Sequence, residues 1–148
     1  MASDSDLVNL YSGRILALAA DIPRLGRLEA PTASARRRSP QCGSTVTVDL
    51  VVEDGRIADF AQEVRACALG QASAAVLGRA AIGRSRAEIE AARDALQAML
   101  KSGATPPAPP FEDLEVLVPA RDFANRHASI LLAFEAASDA LAEAERAA

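Results

Sequence analysis

The most regular alternation of apolar and polar positions runs through residues 45–52, "TVTVDLVV". A period of two puts every second side chain on the same face of a strand. Asp54-Gly55 follows almost at once, and such a pair suits the left-handed positions of a tight hairpin turn. The chain is therefore expected to return antiparallel through "RIADFAQEVRA". Residues 32–38 are expected to complete a short three-stranded antiparallel sheet as an edge strand.

Elsewhere the spacing is helical. Leu7, Leu10, Tyr11 and Leu18 share one stripe over residues 5–18, with Ser3 and Asp6 as start signals and Pro23 and Gly26 as stops. After Cys67, apolar residues recur at Leu69, Ala72, Ala75, Val76 and Leu77 up to Gly83. A second helix starts at Ser85, whose partner Glu88 three residues on completes a capping box. Residues 102–114, "SGATPPAPPFEDL", hold four prolines and predict a loop. A last helix is expected over 128–146, with Ile130, Leu131, Phe134 and Leu141 inward. The order helix, sheet, helices predicts an α+β fold with the helices segregated onto one face of the sheet. Without an internal repeat or a long linker, residues 1–148 are expected to form one domain.

Composition narrows the function classes. Half of the 148 residues are apolar, enough for a real core, and the Ala-rich mix with 3% aromatic residues favours helices packed through small side chains. A formal charge of -4 argues against a general nucleic-acid binder. The local basic knot "ARRRS" at 35–39 reads as a solvated strand or loop. No stretch reaches the roughly 20 apolar residues of a membrane span. Residues 7–20 are interrupted by Asn9, Ser12, Gly13 and Arg14, which predicts no export signal. Two cysteines in that context point to a reducing, cytoplasmic compartment without a structural disulfide.

The two thiols carry the candidate chemistry. Cys42 falls in the loop entering the first hairpin strand and Cys67 at the start of the helix leaving the sheet, so both can face the same end of the fold. A helix N-terminus favours thiolate, making Cys67 a candidate metal ligand or sulfur acceptor. The alternative is that each is a small buried apolar side chain. A dithiol oxidoreductase is disfavoured because no CxxC spacing is present.

Four segments together resemble a known family: "CGS" before a strand, "DGRIADF" across the hairpin, "ACALGQASAA" into a helix and "FANRHASILLAFEAA" near the end. In this order, over about residues 7–142, they are similar to the U-type iron–sulfur cluster assembly scaffolds, the NifU-like, IscU-like and SufU-like proteins. The resemblance implies a site in which three cysteines and an acid meet at one end of the fold to hold zinc or a nascent cluster. Cys42 and Cys67 match two of those cysteines, while Ser44 stands where the family has its acid. Aligning the SufU-like Phe and Arg with Phe123 and Arg126 puts the third cysteine on Ser129. A shift by one residue matches the IscU-like His-Cys-Ser-Ile-Leu to His127-Ala128-Ser129-Ile130-Leu131 instead. In either alignment the third thiol is missing, and "LVPAR" at 117–121 replaces the chaperone-binding stretch of the IscU-like branch.

The implied role is non-enzymatic. The chain is expected to be a scaffold or a sulfur and iron carrier that receives sulfur from a cysteine desulfurase and serves other assembly or acceptor proteins. Its expected cargo is a labile iron–sulfur cluster or zinc, held at a weakened site. Cys42, Cys67 and His127 are the expected ligands, with water or a partner's thiolate completing the shell. Arg126 is expected beside the thiols, where its charge favours thiolate, or as a solvated helix-start cation; Gln71 and Ser73 are expected to pack. The rival expectation is a metal-free interaction protein that keeps the fold and competes for assembly partners.

Overall fold

The structure is a computed structural model that describes residues 10–40 and 42–147. Its elements are α1 (Gly13–Ala20), β1 (Ala33–Arg38), β2 (Thr45–Glu53), β3 (Arg56–Arg65), α2 (Ala68–Ala80), α3 (Arg86–Ser102), a 3-10 helix over Glu112–Asp122, and α4 (Ala124–Ala147). The three strands form one antiparallel sheet in the order β1-β2-β3, the α+β arrangement expected from the sequence.

The β2-β3 hairpin closes where Asp54-Gly55 required it, because both residues take positive φ, 53° and 75°. Register then sorts the side chains. On one face Ala35 pairs Val48, which pairs Gln62, and Ala33 pairs Leu50, which pairs Phe60. On the other face the rows are Ser34-Asp49-Ala61, Arg36-Thr47-Glu63 and Arg38-Thr45-Arg65. The apolar face is covered by α4, which lies across β1 and β2, and by α2, which packs against β3 and α4. Val46, Val48, Leu50 and Phe60 are buried there against Ile130, Phe134 and Leu141 of α4.

Helix ends follow local chemistry. Ser85 and Glu88 form the predicted capping box, and Gly103 closes α3 in the left-handed conformation. α1 begins at Gly13 because the Ser12 hydroxyl accepts from the Ile15 N–H. The signals at Ser3 and Asp6 and the stripe position Leu7 lie outside the described residues. The prolines give an extended loop as expected, but the segment after it is a 3-10 helix containing Pro119, with Leu114 and Leu117 buried. α4 starts at Ala124, one turn before the expected residue 128. Among the described residues no helix is long and apolar enough to cross a membrane.

Two glycines permit close helix approach. A Cβ on Gly70 would lie 2.7 Å from Ser129 Oγ, and one on Gly78 would lie 2.8 Å from Gln62 Nε2. Both contacts are shorter than side chains tolerate. The first of them sets α2 against α4 at the end of the sheet where the thiols sit.

Candidate metal and sulfur site

The loop from β1 to β2 is short and internally bonded. Ser39 N–H donates to the Ser44 carbonyl at 2.8 Å and Gly43 N–H to the Ser39 carbonyl at 2.8 Å. Gly43 has φ +73°, a conformation that favours glycine. This turn buries Ser39 and Ser44 and leaves Cys42 exposed. Cys42 Sγ donates to Ser39 Oγ at 3.4 Å and lies 3.0 Å from Ser44 Oγ.

Cys67 is the N-cap residue of α2 and half-buried. Ser129, buried on the first turns of α4, places its hydroxyl 3.5 Å from Cys67 Sγ and donates to Ser44 Oγ at 3.3 Å. The polar atoms therefore run in one chain: Cys42, Ser44, Ser129, Cys67. Cys42, Cys67, Asn125, Arg126 and Ser129 line a cavity of about 310 Å³. The two thiols expected at one end of the fold are indeed brought together, with Arg126 beside them.

Both thiols are tuned toward the anion. The Cys42 pKa is lowered to about 7, first by the Ser39 hydroxyl, which turns to donate to the sulfur once it is ionised, then by the hydroxyl and backbone of Ser44. For Cys67 burial pushes the pKa up, but the Gly70 amide, the Ser129 hydroxyl, the Leu69 amide and the Arg126 charge together outweigh it and lower the value. The thiol makes no formal capping hydrogen bond. The amides of the first helical turn act through their orientation toward the sulfur.

His127 is not brought to this site. Its Nε2 donates to the Ala120 carbonyl at 2.9 Å, and its ring lines a separate cavity with Pro40, Gln97, Lys101, Ala128 and Glu135. The reason is helical geometry: residues two apart on a helix are rotated by about 200°, so a histidine two before Ser129 faces the other way. The same argument separates the two alignments of this region, since Ser129 lines the thiol cavity and Ala128 the other. Among the described residues no three His, Cys, Asp or Glu side chains are grouped as a metal site. Of the three expected ligands, Cys42 and Cys67 line one cavity with Ser129, and His127 lines the other. Asn125 was missed in the sequence; its signal was its place one turn before Ser129, on the same helix face.

The α+β fold thus gathers two thiols, two serines and an arginine at one end of a three-stranded sheet. In comparisons with known proteins, no family model and no curated protein match the chain. Among solved structures, the N-terminal part of a nitrogen-fixing NifU-like protein from Brucella abortus is 45% identical over 97% of this chain and 99% of that one, with a TM-score of 0.93. A protein from Fervidobacterium islandicum, described as a SUF-system iron–sulfur cluster assembly scaffold, shares the fold at 21% identity over 89% of this chain and 96% of that one, with a TM-score of 0.78. The chain belongs to the NifU-like family.

Proposed function

We infer that the protein is a non-enzymatic scaffold or sulfur and iron carrier in iron–sulfur cluster assembly, with Cys42 and Cys67 as its ligands. The observation that carries this reading is the convergence of two thiols, both displaced toward thiolate, in one open cavity. The cluster, or an iron or zinc ion, is cargo. Two thiolates suit soft metals, whereas Ser44 and Ser129 are neutral hydroxyls and poor ligands for them. The site thus holds cargo weakly and leaves coordination positions for water or for a partner's thiolate.

Sulfur enters as sulfane sulfur from a cysteine desulfurase. The exposed Cys42 thiolate attacks the terminal sulfur of the donor's persulfide. A new S–S bond forms on Cys42 as the donor's S–S bond breaks, and the donor cysteine leaves as thiolate, so no oxidant is consumed. A reducing, cytoplasmic setting suits two free cysteines.

Anaerobic incubation with ferric iron and sulfide, or with a persulfide donor, tests the proposal. Charge-transfer absorption with bound iron, or a mass gain of one sulfur, is expected in the wild type and absent in Cys42→Ala/Cys67→Ala. Neither cluster nor persulfide on the wild-type chain would sink the proposal.

A second reading is favoured by Ser44 and Ser129 themselves, which hydrogen-bond the thiols and fill the space between them. On that reading the chain is a metal-free interaction protein that competes for assembly partners. Wild-type desulfurase binding by the double-alanine variant, together with no metal or sulfur uptake by the wild type, would select it.

A further inference from the structure

One surface is left unexplained by the thiol site. The face of the sheet turned away from the helices carries Arg36 and Arg38 on β1, Thr47 and Thr45 on β2, and Glu63 and Arg65 on β3, in the cross-strand rows Arg36-Thr47-Glu63 and Arg38-Thr45-Arg65. Antiparallel sheets commonly leave one face to water, and threonines alone would need no comment. Three arginines are different. Arg36, Arg38 and Arg65 are all exposed. Among the described residues none of the three is paired with a carboxylate. The neighbouring arginines are committed: Arg27 to Asp49 and Glu63, and Arg37, which points to the helix side, to Asp139 and Glu135.

Concentrating unpaired positive charge is unfavourable unless something offsets it, and in a chain of formal charge -4 it separates the molecule into a basic sheet face and acidic remainder. The face is also concave. An open trough of about 520 Å³ is lined by Arg27, Arg36, Thr45, Thr47, Glu63 and Arg65. Its geometry is set by the pleat. Arg36 and Arg38 are two residues apart on one strand, about 7 Å, and Arg38 and Arg65 lie two strands apart, about 9.5 Å.

We propose that this face docks an extended acidic segment of a partner protein, its carboxylates seated on Arg36, Arg38 and Arg65 and between them on the hydroxyls of Thr45 and Thr47. Carboxylates on every second residue of an extended chain repeat at about 7 Å, matching the spacing of Arg36 and Arg38. Arginine's planar fork is suited to bidentate carboxylate recognition. Nucleic acid fits less well. The face presents no aromatic side chain on which a base would stack, and Glu63 is neutralised by Arg27 at 3.8 Å, which leaves Arg36, Arg38 and Arg65 as its free charges. The position has a consequence for the thiols. Arg38 ends the strand that leads into the Cys42 loop, with its guanidinium beside Gly43, and Arg65 is two residues before Cys67. A partner seated on the Arg38-Thr45-Arg65 row is held at the edge of the thiol cavity. The surface stands on charge and register alone and does not require that the thiols hold a metal.

The test uses the full chain and a fluorescein-labelled decapeptide of alternating Glu and Ser, followed by anisotropy at low ionic strength. The wild type is expected to bind, with affinity falling as salt is added. Arg36→Ala/Arg38→Ala/Arg65→Ala should weaken binding by about tenfold or more, as expected from removing three exposed charge pairs. A variant of equal net charge with its changes away from the sheet, Arg14→Ala/Arg93→Ala/Arg146→Ala, should stay within about twofold of the wild type. Far-ultraviolet circular dichroism and a urea midpoint confirm that both variants are folded. No binding by the wild type, equal weakening by the two variants, or tighter binding of a labelled single-stranded RNA decamer than of the peptide each overturns the proposal.

Discussion

Asp49, in the middle of β2, and Ser44, one residue before that strand begins, anchor two polar clusters that use opposite strategies. Asp49 is fully enclosed. Its Oδ2 accepts from Arg27 Nε at 2.7 Å and from the Leu28 N–H at 3.0 Å, and its Oδ1 accepts from the Ser34 hydroxyl at 2.5 Å and Arg27 Nη2 at 3.0 Å. Its acceptor capacity is used, and the segment through residues 24–28 is thereby pinned across the sheet, where Arg24 and Gly26 also bond the Gln62 backbone. The cluster around Ser44 is bonded but open. The serines share hydrogen bonds with two sulfurs that are poor hydrogen-bonding atoms, and the cavity in front of them is accessible. A buried charge must be satisfied completely or it is costly. A reactive thiolate must be supported incompletely or it has nothing left to offer a ligand. The first cluster is closed around its charge, and the second leaves its sulfurs accessible.

The sharpest way to break this contrast is to empty the closed cluster. Asp49→Ala leaves the Leu28 amide and Ser34 hydroxyl without their acceptor and releases Arg27, and should cost about 2–3 kcal/mol in urea denaturation. In the wild type, burial pushes the Asp49 carboxyl up, but Arg27, Ser34 and the Leu28 amide prevail and hold it below the ordinary aspartate value. A lowered carboxyl contributes stability that is complete above the unfolded pKa and is lost as pH falls through the native one. The urea midpoint of the wild type should therefore fall more steeply on acidification than that of Asp49→Ala. Parallel pH curves for the two proteins would show that Asp49 is not the titrating support.

The open cluster should respond in the other direction, gaining function on substitution. Ser129→Cys puts a third sulfur where the hydroxyl already lies 3.5 Å from Cys67 Sγ and 3.3 Å from Ser44 Oγ. Zinc affinity, measured by competition with a chromophoric chelator, should rise by about tenfold or more, and further with Ser44→Asp. An unchanged affinity would mean that the serines do not occupy ligand positions. A smaller effect separates the serines' present role from their position. Cys42 should be alkylated by iodoacetamide with a midpoint near its pKa of about 7, the rate rising with pH to a plateau. Ser39→Ala/Ser44→Ala removes the hydroxyls that favour the thiolate, so the midpoint should move up toward the ordinary thiol value. A midpoint that stays put would assign the activation to backbone dipoles.

What the sequence revealed, and what it hid, follows the range of the interactions involved. Asp54-Gly55, the Ser85 capping box and the start of α2 at Cys67 are local devices, each readable within four residues, and each stands in the fold as expected. The partnership of Arg27 with Asp49 spans 22 residues and has no periodic signature. The 3-10 helix was hidden because Pro119 and the prolines before it read as interruption, and because its three-residue turns show no apolar stripe at α-helical spacing. α4 begins one turn before its apolar pattern does, since Ala124–His127 contributes little of the large apolar side chain that makes Ile130 to Leu141 conspicuous. The thiol site was legible to the extent that motif order could show it. The facing of its helix was not, because motif order carries no helical phase, and it is this phase that sets His127 and Ser129 on different cavities.

That difference in facing yields the smallest expected effect and the most discriminating one. Were His127 a ligand, as its adjacency to the missing third cysteine implies, removing it would cost roughly tenfold or more in zinc affinity, the scale of a lost ligand. In the fold, His127 and Ser129 leave α4 on different sides, and the imidazole spends its Nε2 proton on the carbonyl of Ala120, tying the 3-10 helix to α4. His127→Ala should therefore leave zinc affinity and stoichiometry unchanged while lowering stability by about 1 kcal/mol, the usual net worth of one buried hydrogen bond. The two quantities are measured on the same preparation, by chelator competition and by urea denaturation. A drop in zinc affinity with stability intact would place the histidine back among the ligands, and would require the first turn of α4 to rotate when metal binds.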